Sequence, residues 1–522
     1  MIADNILQFA KHLVQCGVKY SFGITGSGGS LQLISALEKE NVPFYPVAHE
    51  AAGVIMSGAC CRDGKTHAVA IGIKGPGFIN FLPGILSNYY EGRPGLTVSE
   101  AYSPFVPTYN KHKRLDHRSV CSAIVKGYAT VDTSADTVQS IFDLASRELP
   151  GPVHLDLCST PVNNEKPLHK PDKQNQNIKE SEIEMLADHI KTSSSPVVIL
   201  GSMVSRQLKG QVPDNLTVPV LTTASAKGCY NENSAYSGGV ITGEGKEISP
   251  EHIILGKADL IIGIGLRNNE VTRVTPFNVT LIIIDSINDN LHDGFDASMC
   301  LVTSDVASVA VSVFSELSVK NWGQEVVESY RRQVEEELLK SQWLPPVVFL
   351  QLQQQVSENA VLVLDTGLFC TIGETIWKAH SPENFTGSSN GRFMGTAIPT
   401  AIGTAISNPD QNVICVAGDG GIRPYLSEIK LAVEHHLPIL FILMSDGLYG
   451  TVAMTGKQAG LSSSAFTINN NSWWHAVESM GCPSTHVSNR QELDRSISKW
   501  SGSNGPLFME MHFEPEQYAN ST

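Results

Sequence analysis

Asp419 and Asp446 each sit in a glycine turn, Gly418-Asp419-Gly420-Gly421 and Ser445-Asp446-Gly447, 27 positions apart. Glycines after a buried strand let backbone N–H groups approach an anion closely, and a following helix N-terminus favours negative charge. An aspartate in such a turn would repel a phosphate unless a cation lies between them. Mg²⁺ resolves the conflict, because it commonly binds through one or two carboxylates together with substrate phosphates. The pattern points to a cation site for a diphosphate, against the plainer reading of two turn aspartates with no ligand.

The residues between explain how the turns would meet. "VICVAGDG" (413–420) and "LFILMSD" (440–446) are almost continuously apolar, as strands buried on both faces are. Between them Leu426, Ile429, Ala432 and Val433 fall at helical spacing. A right-handed β-α-β crossover sets both strand C-termini side by side, at the edge where such sheets bind ligands.

Eight more runs read as strands: 67–73, 96–100, 153–157, 196–201, 260–265, 281–285, 361–365 and 507–512. They alternate with helical patterns, so the fold class is α/β, built from doubly wound parallel sheets. A length of 522 residues suggests about three domains. A polar, proline-bearing linker at 163–181 makes one break, and the passage from a charged helix (325–343) to Pro345-Pro346 makes the other. The expected domains are therefore 1–165, 182–322 and 345–522, the first and third alike in layout, each with room for six strands.

Composition narrows the partners. A hydrophobic share of 42% and a charged share of 17% fit an ordinary soluble globular protein. The net charge of −15 argues against nucleic acid or an anionic membrane as partner. "MIADNILQFAKHLVQCG" reads as an amphipathic helix, not a signal peptide, and no apolar run reaches the roughly 18 residues that span a bilayer. Ten scattered cysteines without a CxxC pair suggest neither a disulfide framework nor a zinc site, and make a cytoplasmic location the expectation.

GDG followed by a strand and a second metal turn resembles the cofactor motif of thiamine-diphosphate enzymes, and the likeness extends over nearly the whole chain. "VAHEAAGVIMSGACCRDGK" (47–65) and "KGPGFINFLPGILSNYYEGRPGLTVSE" (74–100) are similar to the pyrimidine-binding domain of the acetolactate synthase-like group. "GRFMGTAIPTAIGTAI" (391–406) is similar to the stretch before its GDG motif. "VPVLTTASAKGCYNENSAYSGGV" and "ADLIIGIGLR" look like its central domain. The resemblance implies pyrimidine-binding, central and diphosphate-binding domains, in that order.

It also implies roles. Glu50 matches the glutamate that hydrogen-bonds the aminopyrimidine and favours the imino tautomer, whose nitrogen removes the thiazolium C2 proton. Met394 matches the apolar prop that bends the cofactor. Thr25, Asn80, Thr366, Gly367, Tyr449 and Gly450 fall where the family contacts thiamine diphosphate, and Gly418, Gly420 and Gly421 where it offers backbone to the diphosphate. Asp419 and Asp446 by side chain, and Leu448 by its carbonyl, would ligate Mg²⁺ or Ca²⁺. In this family Glu50 and the GDG turn lie on different subunits, which implies a homodimer or homotetramer with the active site between subunits.

The implied reaction is decarboxylation of a 2-oxo acid and transfer of the resulting acyl carbanion or enamine to an acceptor carbonyl. The alternatives are a simple decarboxylase releasing an aldehyde, or a non-catalytic partner subunit. Several departures from the family bear on that choice. Ser445-Asp446 replaces the usual Asn-Asn. Ser27 and Gly28, beside Thr25, are small and neutral where relatives often carry an acid or a histidine, and Val452 stands where simple pyruvate decarboxylases carry a glutamate. Without those acids protonation is slow, which favours carboligation. The basic loop "KHKRLDHR" (111–118) offers Arg114 to an anionic 2-oxo acid and His112 or His117 for proton transfer; the plainer reading is a solvated loop or an intersubunit patch. Glu100 replaces a glutamine of many relatives and either contacts substrate or ends its strand. "GLRNNEVTRVTPFN" (265–278) resembles a flavin-contacting segment too weakly for FAD to be claimed.

Overall fold

The computed structural model of the chain describes residues 2–61, 67–103, 106–131, 135–158, 168–169, 178–209, 211–243, 247–271, 277–287, 292–338, 343–468, 472–501 and 504–520. Nineteen strands among them form three sheets.

The first sheet holds β1 (Val18–Gly23), β2 (Phe44–Pro46), β3 (His67–Gly72), β4 (Leu96–Ala101), β5 (Gly127–Val131), β6 (Val153–Cys158) and β7 (Leu168–His169). Their order is β2-β1-β3-β4-β6-β5-β7, parallel except for β7, which runs antiparallel to β5. The second holds β8 (Pro196–Leu200), β9 (Val220–Thr223), β10 (Ser237–Ile241), β11 (Leu260–Ile264), β12 (Thr280–Asp285) and β13 (Met299–Val302), in the order β10-β9-β8-β11-β12-β13. The third holds β14 (Val361–Leu364), β15 (Phe385–Gly387), β16 (Val413–Gly418), β17 (Ile439–Ser445), β18 (Ser484–Val487) and β19 (Leu507–His512), in the order β15-β14-β16-β17-β19-β18. Sheets one and three thus share one winding, apart from the added β7. Sheet two has the winding of dinucleotide-binding folds.

The first and third units are joined within the chain. The Glu50–Cys60 helix has every residue buried, and it packs on the Ala397–Ser407 helix through small side chains. A Cβ on Gly403 would come within 2.5 Å of the Met56 carbonyl oxygen, so the backbones are as close as they can be. The Cys60 thiol donates to the Gly403 carbonyl at 3.3 Å, and the buried Arg93 donates to Thr400 and Thr386.

Some expectations need adjusting. The GDGG segment is no open turn, since Asp419–Ile422 is a helical turn in its own right. The expected helix after it divides into a 3₁₀ turn, Leu426–Glu428, and a short helix, Ile429–Glu434. Within the expected linker, Leu168–His169 adds a strand to the first sheet and the Glu180–Thr192 helix has already begun; residues 163–167 and 170–177 lie outside the described residues. So do 62–65 of the first motif, 272–276 of the flavin-like segment and 339–342 of the charged helix. No helix among the described residues is long and apolar enough to cross a membrane.

Candidate active site

Three strand ends of the third sheet converge on one cavity of about 110 Å³. β16 pairs in parallel with β14 on one side and β17 on the other, so Thr366-Gly367, Gly418-Asp419 and Asp446 emerge together. Thr366, Gly367, Met394, Gly418, Asp419, Gly420, Gly421, Asp446, Leu448, Tyr449, Gly450 and Val452 all line it. The structure therefore brings together every site residue singled out in the C-terminal part of the sequence.

The two aspartates are crowded. Asp419 is buried, and its carboxylate accepts from Ser445 Oγ at 2.7 Å and from the Asp446 and Gly447 amides at 2.9 Å. Asp446 accepts from the Leu448 amide at 3.0 Å. Burial raises the Asp419 carboxyl above its ordinary range. Asp446 is pushed up to about 6, by burial first, with the negative charge of Asp419 adding to it. Two half-desolvated carboxylates that repel each other form a hard-oxygen donor set suited to a divalent cation. Space for an anion's close approach is also present. A Cβ on Gly420 would meet the Tyr449 ring at 2.6 Å and Met394 Sδ at 3.2 Å, so only glycine leaves the cavity wall open there.

Met394, 46% exposed at the cavity mouth, is held by a residue that sequence reasoning missed. Asp365, buried at the end of β14, accepts from the amides of Gly395, Ala397 and Thr366. It ties the Met394 loop to the strand end, although burial pushes its carboxyl up to about 6.

Glu50 opens its helix in the first unit. Asn80 Nδ2 donates to its carboxylate at 2.9 Å, and a Cβ on Gly77 would lie 3.4 Å from Oε1. A second missed residue holds this segment: Glu428 accepts from the amides of Ala48 and His49 at 3.1–3.2 Å. Glu428 is a lone acid between the apolar Leu426 and Ile429, and that placement was the available signal. Neither Glu50 nor Asn80 lines the third-sheet cavity.

The remaining expected residues scatter. Thr25 and Ser27 are exposed. Gly28 abuts Glu100, whose oxygen would lie 2.8 Å from a Cβ there. Glu100 accepts from Ser30 N and Oγ at 2.8 Å and pairs with Lys74 at 2.7 Å. Burial opposes its charge, but those partners outweigh it and hold the carboxyl below its ordinary range. An acid therefore does stand beside the neutral Thr25–Gly28 segment, supplied by a different strand. His112 and Arg114 are exposed.

His117, expected as a proton carrier, lines the cavity under the basic loop with both ring nitrogens held. It is buried, stacks on Phe78 at 3.9 Å, donates from Nδ1 to Asp156 at 2.7 Å and accepts the Gly75 amide at Nε2. Both ring nitrogens are engaged, so the ring fixes the loop from inside.

In the second sheet the crevice at the β8/β11 switch is filled from within. Glu270, buried, accepts from Ser202 N, Ser202 Oγ and Thr223 Oγ1 at 2.6–2.8 Å. Arg267, fully buried, pairs with Asp285 at 2.7 Å and with Glu148 of the first unit at 2.6 Å.

Comparison with known proteins follows this geometry. Residues 7–103 match the N-terminal TPP binding domain of thiamine pyrophosphate enzymes, 183–311 the central domain and 365–511 the C-terminal TPP binding domain. The acetolactate synthase large subunit of Pyropia yezoensis is 25% identical over 95% of this chain and 90% of its own. The isozyme 3 large subunit of Escherichia coli (strain K12) is 23% identical over 94% and 90%, and the large subunit of Haemophilus influenzae 22% over 96% and 93%. With all three domains matched in order along one chain, this protein belongs to the thiamine pyrophosphate enzymes.

Proposed function

We propose that the protein decarboxylates a 2-oxo acid with thiamine diphosphate and a divalent cation, and joins the acyl fragment to an acceptor carbonyl. The observation that carries this is the single cavity where the glycine backbone of 418–421 meets the Asp419–Asp446 pair. When bound, the cofactor supplies the electron sink that decarboxylation of a 2-oxo acid requires. Asp419 and Asp446, with the Leu448 carbonyl, would hold Mg²⁺ against the diphosphate. Gly418, Gly420 and Gly421 would present amides to it, and Met394 would orient it at the mouth. Glu50, set in place by Asn80, would hold the proton shared with the aminopyrimidine.

Because Glu50 and the diphosphate cavity are separate half-sites in one chain, a second copy would complete each. Apolar side chains stand exposed near both: Ile79, next to Asn80, at the first, and Met394 and Val452 at the second. Carboligation is favoured over aldehyde release because the acid beside the Thr25–Gly28 segment, Glu100, is held, against burial, below its ordinary range by Lys74 and Ser30 and is a poor proton donor, while Val452 has no proton to give.

The test is C2-proton exchange of bound thiamine diphosphate in the wild type and in Glu50→Gln, followed by product NMR with a panel of 2-oxo acids. Exchange lost in the variant, with acyloin or 2-hydroxy-2-acyl products in the wild type, is expected. Aldehyde as the only product would refute carboligation; no cofactor binding with Mg²⁺ would refute the reading of the site.

A further inference from the structure

The basic loop covers a second cavity, about 400 Å³, at the C-terminal ends of β3 to β6. Lys74, Lys111, Lys113, Arg114 and Arg118 line it, in a chain whose net charge is −15. Two acids also line it, and both are already occupied. Asp116 caps the helix His117–Cys121, accepting from Ser119 N and Oγ. Asp156 is buried and accepts from Ser99, His117, His154 and Tyr128. Of the cations, Lys74 is paired with Glu100, and Arg118 stands 5.9 Å over the Tyr128 ring. The side chains of Lys111, Lys113 and Arg114 make no ion pair among the described residues. Three like charges on one wall without a counter-ion repel one another, and an anion in the cavity relieves that.

The wall is built rather than loosely solvated. Lys113 is held in the left-handed region (φ 60°), opposite Gly75, itself at φ 68°. The Lys113 carbonyl oxygen lies 2.8 Å from where a Gly75 Cβ would be, so the loop is seated directly on the Lys74-Gly75-Pro76-Gly77 turn. The Gly75 amide donates to His117 Nε2 at 3.3 Å, fastening the loop a second time. The same turn ends at Gly77, against Glu50. Three residue steps span at most roughly 11 Å, so the cationic wall lies within a small molecule's reach of the Glu50 half-site.

We propose that this cavity is the subsite for a second anionic group of the substrate, which makes the donor a dianionic 2-oxo acid bearing a carboxylate, sulfonate or phosphonate at its far end. A monocarboxylate such as pyruvate would leave the Lys111, Lys113 and Arg114 charges unanswered. The inference rests on the 2-oxo acid reading above.

The test uses the holoenzyme with thiamine diphosphate and Mg²⁺, measuring CO₂ release from length-matched pairs: 2-oxoglutarate against 2-oxovalerate, and sulfopyruvate and phosphonopyruvate against 2-oxobutyrate. At least one dianion should exceed its monoanionic partner tenfold or more in kcat/KM. That ratio should shrink as ionic strength rises, and should fall at least tenfold in Lys113→Gln/Arg114→Gln. Equal kcat/KM for both members of every pair in the wild type, or a ratio indifferent to the double substitution, would overturn the proposal. So would turnover of neither class with C2 exchange intact, an outcome that leaves the thiamine reading standing; loss of C2 exchange itself would instead overturn that reading.

Discussion

Glu428 offers the most direct check on how the first half-site is held. Its carboxylate is 1% exposed and accepts from the Ala48 and His49 amides, the two residues before Glu50. Burial pushes its carboxyl from an ordinary 4.5 to about 7. A folded-state value above the unfolded one means that the folded chain binds the proton more tightly. The stabilising contribution is then fully present below about 4.5 and lost as pH rises through about 7. The whole difference amounts to roughly 3 kcal/mol, of which about 2.5 kcal/mol falls between pH 5 and 8. Glu428→Gln keeps an acceptor oxygen but cannot ionise. In urea unfolding it should therefore gain on the wild type by about 2.5 kcal/mol from pH 5 to pH 8. Glu428→Ala strands two amides at about 1–3 kcal/mol each. It should lose about 2–6 kcal/mol and, by loosening the segment before Glu50, slow C2 exchange. Parallel pH curves for the wild type and Glu428→Gln would refute the argument.

Two more outcomes follow from buried contacts. Arg267→Met should cost about 3–5 kcal/mol in urea unfolding at pH 7, because it removes the fully buried cation shared by Asp285 and Glu148 and leaves them only His292 and Arg206. Although burial opposes the charge on Glu148, Arg206 and Arg267 outweigh it and hold the carboxyl at about 2; Asp285 is likewise depressed. Their contribution is present above about 4.5 and lost as pH falls toward 2, so the gap between wild type and variant should narrow in acid. Gly420→Ala puts a Cβ 2.6 Å from the Tyr449 ring, and titration calorimetry with Mg²⁺ should show thiamine diphosphate affinity reduced at least tenfold; unchanged affinity would mean the cavity is not where the diphosphate sits.

What could be read from the chain depended on whether the signal was contiguous. Strands such as β11 and β17 are uniform apolar runs and stood out. β1 alternates apolar Val18, Tyr20 and Phe22 with Lys19 and Ser21, a period-two strand signal that a search for continuous apolar runs passes over; β10 carries two glycines, and β2 and β15 are three-residue edges. The third-sheet cavity was legible because its glycines and acids follow their strands directly. The cavity under the basic loop was not, since Lys74, Tyr128 and Asp156 reach it from separate strands. Asp365 looks like an ordinary acid in the sequence and Glu428 is marked only by its apolar neighbours; burial against amides is what reveals both as anchors. The burial of His117 was hidden for the same reason: Phe78 and Asp156, which hold it, are distant in sequence.

The shared winding of sheets one and three accounts for the division of labour between them. Their equivalent helices, Glu50–Cys60 after β2 and Ala397–Ser407 after β15, are the pair that pack on each other inside the chain. Beside that contact the segments that follow β2 and β16 also touch, through Glu428 and the Ala48 and His49 amides. At the ends of β16 and β17 the loops carry two crowded carboxylates, which need a cation before they can hold a diphosphate. At the ends of β3 and β4 the equivalent loops carry Lys74, paired with Glu100, and Lys111, Lys113 and Arg114, which make no ion pair among the described residues. One edge is thus suited to a metal–diphosphate and the other to a free anion. Glu50 lines neither the diphosphate cavity nor the cavity under the basic loop.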